Sequence, residues 1–327
     1  MTVLVTGGAG YIGSHTVRQL RSIGRDVVVL DNLDTGFASA VIDAPLIIGD
    51  IADEALVAKL CAEYSVDSVV HFAAHKNVGE SMASPSKYWH NNVDGTVHLI
   101  DAILAAGVTN LVFSSSCSIY GTPQVVPVTE AAPVDPQSVY AETKAMMEKI
   151  LGWYGTTHGL RAVSLRYFNA AGASLDNTIG EDWTSSANLI PVVMKAALGY
   201  GPPIKVFGDD YPTPDGTAIR DYIHVEDLAD AHVRALDHLA WGGATIGLNV
   251  GTGIGSSVLD IVRATERIGE TAVPIEIVAR REGDPVEVYA DPTLVRSVLD
   301  WAPRHDLDTI ISSAWSWHSS HPDGITS

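Results

Sequence analysis

Short apolar runs rich in β-branched residues recur through the first half of the chain, at Val3-Leu4-Val5, Val27 to Leu30, Leu46-Ile47-Ile48, Val69-Val70, Leu111-Val112-Phe113 and Val163 to Leu165. Runs this short and continuously apolar read as parallel strands buried on both faces. The segments between them are long enough for helices, and several close on a glycine: Gly24, Gly107 and Gly159. Glycine supplies the left-handed residue just past a helix end without steric cost. Strand and helix alternating from the first residue predict an α/β fold with a doubly wound parallel sheet. The regularity fades after about Asn169, where Pro202-Pro203 and the run Tyr211 to Gly216 lengthen the loops. A first domain over 1–168 and a second, smaller α/β lobe over 169–327 are expected, with a stretch such as 220–238 free to pack back on the first.

Composition narrows the class. The 327 residues are 46% hydrophobic and 18% charged, enough apolar content for a substantial core. With 39 acidic against 20 basic side chains the net charge is −19, which argues against nucleic acid or an anionic membrane as partner. Two cysteines far apart, Cys61 and Cys117, make a disulfide framework or a structural zinc site a poor expectation. No apolar run approaches the ~20 residues of a membrane helix, and the N-terminal segment lacks the basic and apolar regions of a signal peptide. A cytoplasmic protein is the expectation.

Candidate chemistry begins where the first strand meets Gly7, Gly10 and Gly13, a GxxGxxG spacing. Glycines there permit a tight turn, close backbone approach to a pyrophosphate, and close packing of helix on strand. The second strand ends in Asp31, eighteen residues after Gly13. A carboxylate at that point accepts from both hydroxyls of an adenosine ribose and repels a 2′-phosphate, which favours NAD over NADP. Further candidates sit at later strand ends, where ligands bind in open α/β sheets: Asp50-Ile51, His71 to Lys76, and Ser114 to Ser116. Next comes Ser138-Val139-Tyr140-Ala141-Glu142-Thr143-Lys144, with Tyr140 and Lys144 on one helix face at i, i+4. A phenol titrating at about 10 needs a shift of ~3 units, or ~4 kcal/mol, to serve as a base near neutrality. One ammonium at about 4 Å supplies ~1 kcal/mol in water and ~4 kcal/mol at an effective dielectric of 20, so a shielded lysine is of the right size. Ser116 is placed to hydrogen-bond the same substrate oxygen. His71 and His75 straddle a strand end with no third ligand evident, so no metal site is assigned.

Tyr-x-x-x-Lys, the upstream serine and the glycine turn resemble the extended short-chain dehydrogenase/reductases, which carry a Rossmann-type sheet. The segments GGAGYIGSH, HFAAHKNVGES, NNVDGT, FSSSCSIYG, YAETK, LRYFNAAGA, the long VFGDDYPTPDGTAIRDYIHVEDLADAH and RREGD resemble, more narrowly, the UDP-glucose 4-epimerase family, from Met1 to about Asp323. The resemblance implies a mechanism. Tyr140 as phenolate takes the proton of the sugar 4-hydroxyl, and the C4 hydride passes to NAD. The 4-keto sugar turns over beside bound NADH, and the hydride returns to the other face, interconverting UDP-glucose and UDP-galactose. It also implies that Tyr11, Ile12, Asn32, Asp50, Ile51, Phe72, Ala73, Lys76, Asn91 or Asn92, and Tyr167 line the cofactor, together with Gly7, Gly10, Asp31, Tyr140 and Lys144. For the UDP-hexose it implies Lys76, Ser116, Tyr140, Asn169, Asn188, Leu189, Val206, Phe207 and Tyr222, with Arg220 and Arg281 on the diphosphate and Asp284 on the uridine ribose. Val288 falls where family members differ in size. An aromatic residue there closes the sugar pocket and a small one admits an N-acetyl group, so UDP-N-acetylhexosamines are expected to be tolerated. A homodimer is the family expectation.

Three other readings are weaker. Dehydratases and UDP-glucuronate decarboxylases of the superfamily place an acid after the serine, where this chain has Cys117 and Ser118. A net reductase more often uses NADPH, against Asp31. A non-catalytic NAD-binding regulator commonly loses Tyr or Lys, and both are present.

Overall fold

A computed structural model of the protein describes residues 1–184, 186–281 and 283–325. β1 (Thr2–Thr6) runs into the glycine turn and α1 (Tyr11–Ser22), followed by β2 (Asp26–Asp31), β3 (Leu46–Ile48), α2 (Glu54–Glu63) and β4 (Val66–His71). Then come α3 (Val78–Ala83), α4 (Pro85–Tyr88), a π-helical turn (Trp89–Asp94), α5 (Gly95–Ala105), β5 (Asn110–Ser114), the long α6 (Val139–His158) and β6 (Arg161–Tyr167). Beyond these lie β7 (Asn169–Ala171), α7 (Leu189–Ala197), β8 (Ile204–Phe207), β9 (Ile219–His224), α8 (Val225–Ala240) and β10 (Ile246–Val250). β11 (Gly255–Ser257), α9 (Val258–Gly269), β12 (Ile275–Val278), β13 (Glu287–Val288), α10 (Thr293–Leu299) and α11 (Leu307–Ser320) complete the chain.

Seven parallel strands form the main sheet in the order β3-β2-β1-β4-β5-β6-β10. The continuous apolar runs have the physical meaning expected of them, because alternate residues of one strand feed two cores. Val3 and Val5 pack with Val17 and Leu20 of α1 and with Leu228 and Leu236 of α8. Leu4, between them, packs on the other face with Val57 and Leu60 of α2, Leu99 and Ile103 of α5, and Met147 and Leu151 of α6. Each such side chain contributes about 1.5–3 kcal/mol on full burial, so a strand apolar on one face only would not hold both helical layers. Gly24, Gly107 and Gly159 all take φ between 72° and 82° at the ends of their helices.

The strand order reverses beside β1, which pairs with β2 on one side and β4 on the other. That switch point opens a crevice at the carboxyl ends of the strands. β10 lies in the half of the chain assigned above to the second lobe, yet it is the seventh strand of the main sheet, in register with β6 through Leu248↔Leu165 and Val250↔Tyr167. Within 220–238 the chain divides: β9 belongs to a smaller sheet, while α8 lies against α1, β5 and β6. In that smaller sheet β9 pairs with β7, β11 and β13. β8 and β12 form a separate parallel pair. Ile190, Val193 and Met194 of α7, Ile261 of α9, and Ile310 and Ile311 of α11 pack together as its core. Among the described residues no helix is long and apolar enough to cross a membrane.

Candidate active site

The glycine turn sits at the switch point. A side chain at Gly7 would meet the Ala73 backbone nitrogen at 2.5 Å, so the turn after β1 and the chain after β4 run in contact. Phe72 and Ala73 both donate their amides to the Thr6 carbonyl, which brings these two candidates beside Gly7. At Gly13 a Cβ would fall 2.2 Å from the Gly7 oxygen, so α1 approaches β1 as closely as two backbones can. The first turn of α1 contains no acidic residue, and Gly10 offers no capping side chain. Its amides, with the positive end of the helix dipole, are thus suited to an anion. Asp31 accepts from the Ala9 and Leu33 amides, both at 2.9 Å, which anchors the carboxylate at the end of β2 with lone pairs left for a ribose. Asn32 donates to Asp50 at 3.5 Å, and Ile51 is buried behind them. The turn, the uncapped helix end and the anchored carboxylate fit NAD. Tyr11 donates to the Gly172 carbonyl at 2.6 Å, tying α1 to the chain after β7, and its phenol is pushed up by burial and by Glu181. Ile12 packs against the core of this layer.

Across the crevice, the first turn of α6 presents Tyr140. Ser138 caps the helix by accepting from Ala141 N at 3.2 Å, and Ser81 of α3 accepts from Tyr140 N at 3.2 Å. Two of the helix's orphan amides are therefore satisfied beside the phenol ring. Ser116, after β5, lies close enough to the phenol to oppose a rise of its pKa. Lys144, one turn along, donates to the Ser114 carbonyl at 2.7 Å, with Nζ 4.8 Å from the Phe113 ring centroid and 5.9 Å from that of Tyr140. The structure brings Ser116, Tyr140 and Lys144 to one place, the last two through their i, i+4 spacing on α6. It changes the electrostatic argument, however. Burial pushes the Tyr140 phenol above its ordinary value, with Tyr167 adding to the rise and Ser116 only opposing it. Burial also pushes the Lys144 amine down to about 7. The lysine alone does not make the phenol acidic, because desolvation outweighs one ammonium directed at a carbonyl. Tyr167, at the end of β6, accepts from Ser114 Oγ at 3.3 Å.

The remaining candidates come from the far side of the crevice. Arg220 forms an ion pair with Asp284 and donates to the Ile219 carbonyl. Arg281 lies 4.2 Å over the Phe207 ring, beside Val206 on β8. Val288 is paired in register with Arg220 across β13 and β9 and is buried against Ile119, Tyr120 and Phe168. Asn169 donates to the Asp221 carbonyl at 3.0 Å, and Tyr222 is buried next in the strand. Asn188 donates to Glu181 at 2.7 Å, with Leu189 following it into α7. Lys76 Nζ lies 3.8 Å from the same carboxylate.

Asn92, one of the two asparagines named above, and three residues not named there, Glu181, Asp221 and Glu148, hold this frame. Glu181 is buried and gathers Lys76, Ser186 and Asn188; burial pushes its carboxyl up and Lys76 opposes the rise. Asn92, in the π-helical turn, bonds the backbone of His75 twice and Thr143 Oγ1 once, while Asn91 only donates to Asn92. Asp221 accepts from Thr252, Gly253 and Ala290 amides, locking the loop beyond β10 to Arg220's strand. Glu148 bonds Ser115 and Arg166. Of the three not named, only Glu148 carries a legible signal, as the i+4 continuation of Tyr140 and Lys144. His71 bonds Thr6 and Thr96, and burial takes it down to about 3. Among the described residues no group of three or more His, Cys, Asp or Glu is placed to hold a metal ion.

A doubly wound sheet with this glycine turn, acidic strand end and Ser/Tyr/Lys cluster defines a nucleotide-dependent enzyme class, and the chain belongs to the NAD dependent epimerase/dehydratase family, whose profile matches residues 3–251. Within that family it is similar to the UDP-glucose 4-epimerase of Lactobacillus helveticus, 47% identical over 326 residues that cover 99% of each chain. The crystal structure of UDP-glucose 4-epimerase from Stenotrophomonas maltophila with bound NAD and formylated UDP-arabinopyranose matches with a TM-score of 0.96 at 42% identity, over 99% of each chain. That from Brucella ovis in complex with NAD matches with a TM-score of 0.94 at 47% identity, over 96% of this chain and 97% of the other.

Proposed function

We propose that this protein interconverts UDP-glucose and UDP-galactose by inverting C4 of the hexose, with NAD as a resident cofactor. The observation that carries the reading is the cluster of Ser116, Tyr140 and Lys144 around one point of the crevice. When bound, NAD supplies a reversible hydride acceptor for C4 and, in its oxidised form, a positive charge. Gly7, Gly10, Tyr11, Ile12, Asp31, Asn32, Asp50, Ile51, Phe72, Ala73, Lys76, Asn91 and Tyr167 would hold it. Tyr140 takes the proton of the 4-hydroxyl and returns it. Ser116 hydrogen-bonds the same oxygen, and Lys144 stabilises the phenolate as part of a pair of opposite charges. The flat 4-keto sugar then turns about its link to UDP. Arg220 and Arg281 neutralise the diphosphate, which guanidinium groups suit because they bind bidentately. For Arg220 this means exchanging its partner Asp284, which becomes free for the uridine ribose. Asn169, Asn188, Leu189, Val206, Phe207 and Tyr222 complete the sugar-nucleotide pocket. Loss of water is disfavoured because the residues after Ser116 are Cys117 and Ser118, and Glu148 is held by Ser115 and Arg166.

Val288 beside Arg220 supports tolerance of an N-acetyl group at the neighbouring sugar carbon. The reading also includes two lobes, the chain leaving the first near residue 169 and returning to it with α8 and β10, action in the cytoplasm, and self-association as a homodimer through helices of the first lobe, where Trp153 of α6 is 68% exposed. The decisive experiment is to incubate the purified protein with UDP-galactose, without added cofactor, and follow the anomeric signals by NMR. Conversion to UDP-glucose is expected, and UDP-N-acetylgalactosamine should convert as well. No conversion of UDP-galactose by protein shown to contain NAD would refute the activity; failure with the N-acetyl sugar alone would remove only the Val288 argument.

A further inference from the structure

Tyr140, Lys144 and Glu148 follow one another at i, i+4 and i+8 along α6, so a carboxylate lies one turn beyond the ammonium on the same stripe. Glu148 is not a surface acid. Its side chain and that of Arg166 are each 13% exposed, and Arg166 grips it with Nε at 3.0 and 3.1 Å and Nη2 at 2.5 Å. The same carboxylate accepts from Ser115 Oγ at 2.5 Å. Ser115 stands between Ser114, whose carbonyl holds Lys144, and Ser116, which lies beside the Tyr140 phenol. Arg166 is fixed in turn by Tyr120 at 2.8 Å, and Tyr120 by Asn249 of β10 at 2.7 Å. The end of β5 is therefore clamped from α6, β6 and β10 at once.

We propose that Glu148 is a positioning residue of the reaction, holding the Ser115-Ser116 corner and, together with Arg166, setting the field felt by the buried ammonium of Lys144. This rests on the epimerase reading of the site. Lys144 is 4% exposed, and among the described residues its only hydrogen-bond acceptor is the Ser114 carbonyl. Of the ionisable groups around it, His71 on β4 is kept neutral by burial, and so is His232 on α8. Glu80 on α3 and Lys87 on α4 are paired with each other. Tyr140 on the same helix and Tyr167 on β6 are phenols that burial pushes up, and the Cys117 thiol is pushed up to about 12. Arg166 is paired with Glu148 and screens part of its charge. Glu148 is thus the charge that opposes the burial of Lys144.

The test is the titration of Lys144 in the NAD-loaded protein, read from its 13Cε chemical shift against pH and assigned by its loss in Lys144→Met. Glu148→Gln should lower the midpoint by about one pH unit. The alkaline limb of kcat/KM for UDP-galactose should move down with it. Arg166→Gln, which leaves the carboxylate without its counter-charge, should move both upward, so either variant that folds is decisive. A merely structural role would lower kcat at all pH values and leave midpoint and limb in place, and that result would overturn the proposal. Absence of turnover in the wild-type protein would instead count against the epimerase reading, while the 13Cε midpoint would still report on Glu148.

Discussion

Tyr140 and Lys144 are 8% and 4% exposed, and at that burial each resists carrying its charge alone. The phenol is pushed up and the amine is drawn down to about 7. A proton moving from one side chain to the other would trade a neutral pair for a zwitterion, and only a further positive charge or a bonded substrate oxygen tips that balance. In the proposed reaction the phenolic oxygen is the atom on which turnover depends, while the ring is packing. Tyr140→Phe removes that oxygen alone. Turnover of UDP-galactose should fall by about 10²–10⁴-fold, the range of a lost general base, with the NAD content of the purified protein unchanged. Quantifying NAD released on acid quenching beside the turnover assay checks both halves; equal activity in the variant would exclude Tyr140 as the base.

Elements differ in how closely they meet. α1 touches β1 backbone to backbone at Gly13, where a Cβ would stand 2.2 Å from the Gly7 oxygen and 2.8 Å from Gly8 Cα. No side-chain rotation relieves a contact with main chain, so Gly13→Ala must lift the helix and with it the amides proposed for the pyrophosphate. A loss of about 1–3 kcal/mol is expected, together with loss of bound NAD. Gly152 is the counter-case. It lies inside α6, is exposed, and a Cβ there meets nothing within 4 Å. Gly152→Ala should therefore stabilise by about 0.5–1 kcal/mol through the helix preference of alanine. Thermal melting of the two variants side by side tests the pair, and a shift of the same sign in both would contradict the contact argument.

For the molecule as a whole, five histidines are buried with folded values far below the ordinary 6.5: His71 and His224 at about 3, His15, His232 and His318 at about 4. In every case burial is the main cause. Because the folded value is depressed, their contribution is intact above 6.5 and is lost as pH falls, since the unfolded chain binds protons that the native state refuses. Each group costs up to about 1.4 kcal/mol per pH unit in that window. Glu181 and Asp221, raised by burial, act in the opposite sense and offset part of the loss at the acid end. The thermal midpoint should fall steadily from pH 6.5 to 4.5, with net proton uptake on unfolding; a flat profile across that interval would show that these histidines are not buried neutral.

Much of this architecture is set by local regularities that any window of the chain contains. A β-branched apolar run can only be a buried strand, a glycine at a helix end relieves the left-handed residue, and four residues along a helix bring Tyr140 and Lys144 to one face. The glycine turn and Asp31 belong to the same kind, because their spacing spans one strand–helix–strand unit. What tertiary structure alone decided is of another kind. β10 returns to the main sheet from beyond residue 240, Glu181 collects Asn188 and Lys76 from separate loops, and Glu148 reaches a serine on one strand and an arginine on the next. The direction in which Tyr140 is pushed also waits on the fold. Desolvation sums over everything packed around a group, and those neighbours are distant in sequence, whereas periodicity and capping involve only residues within a turn of each other.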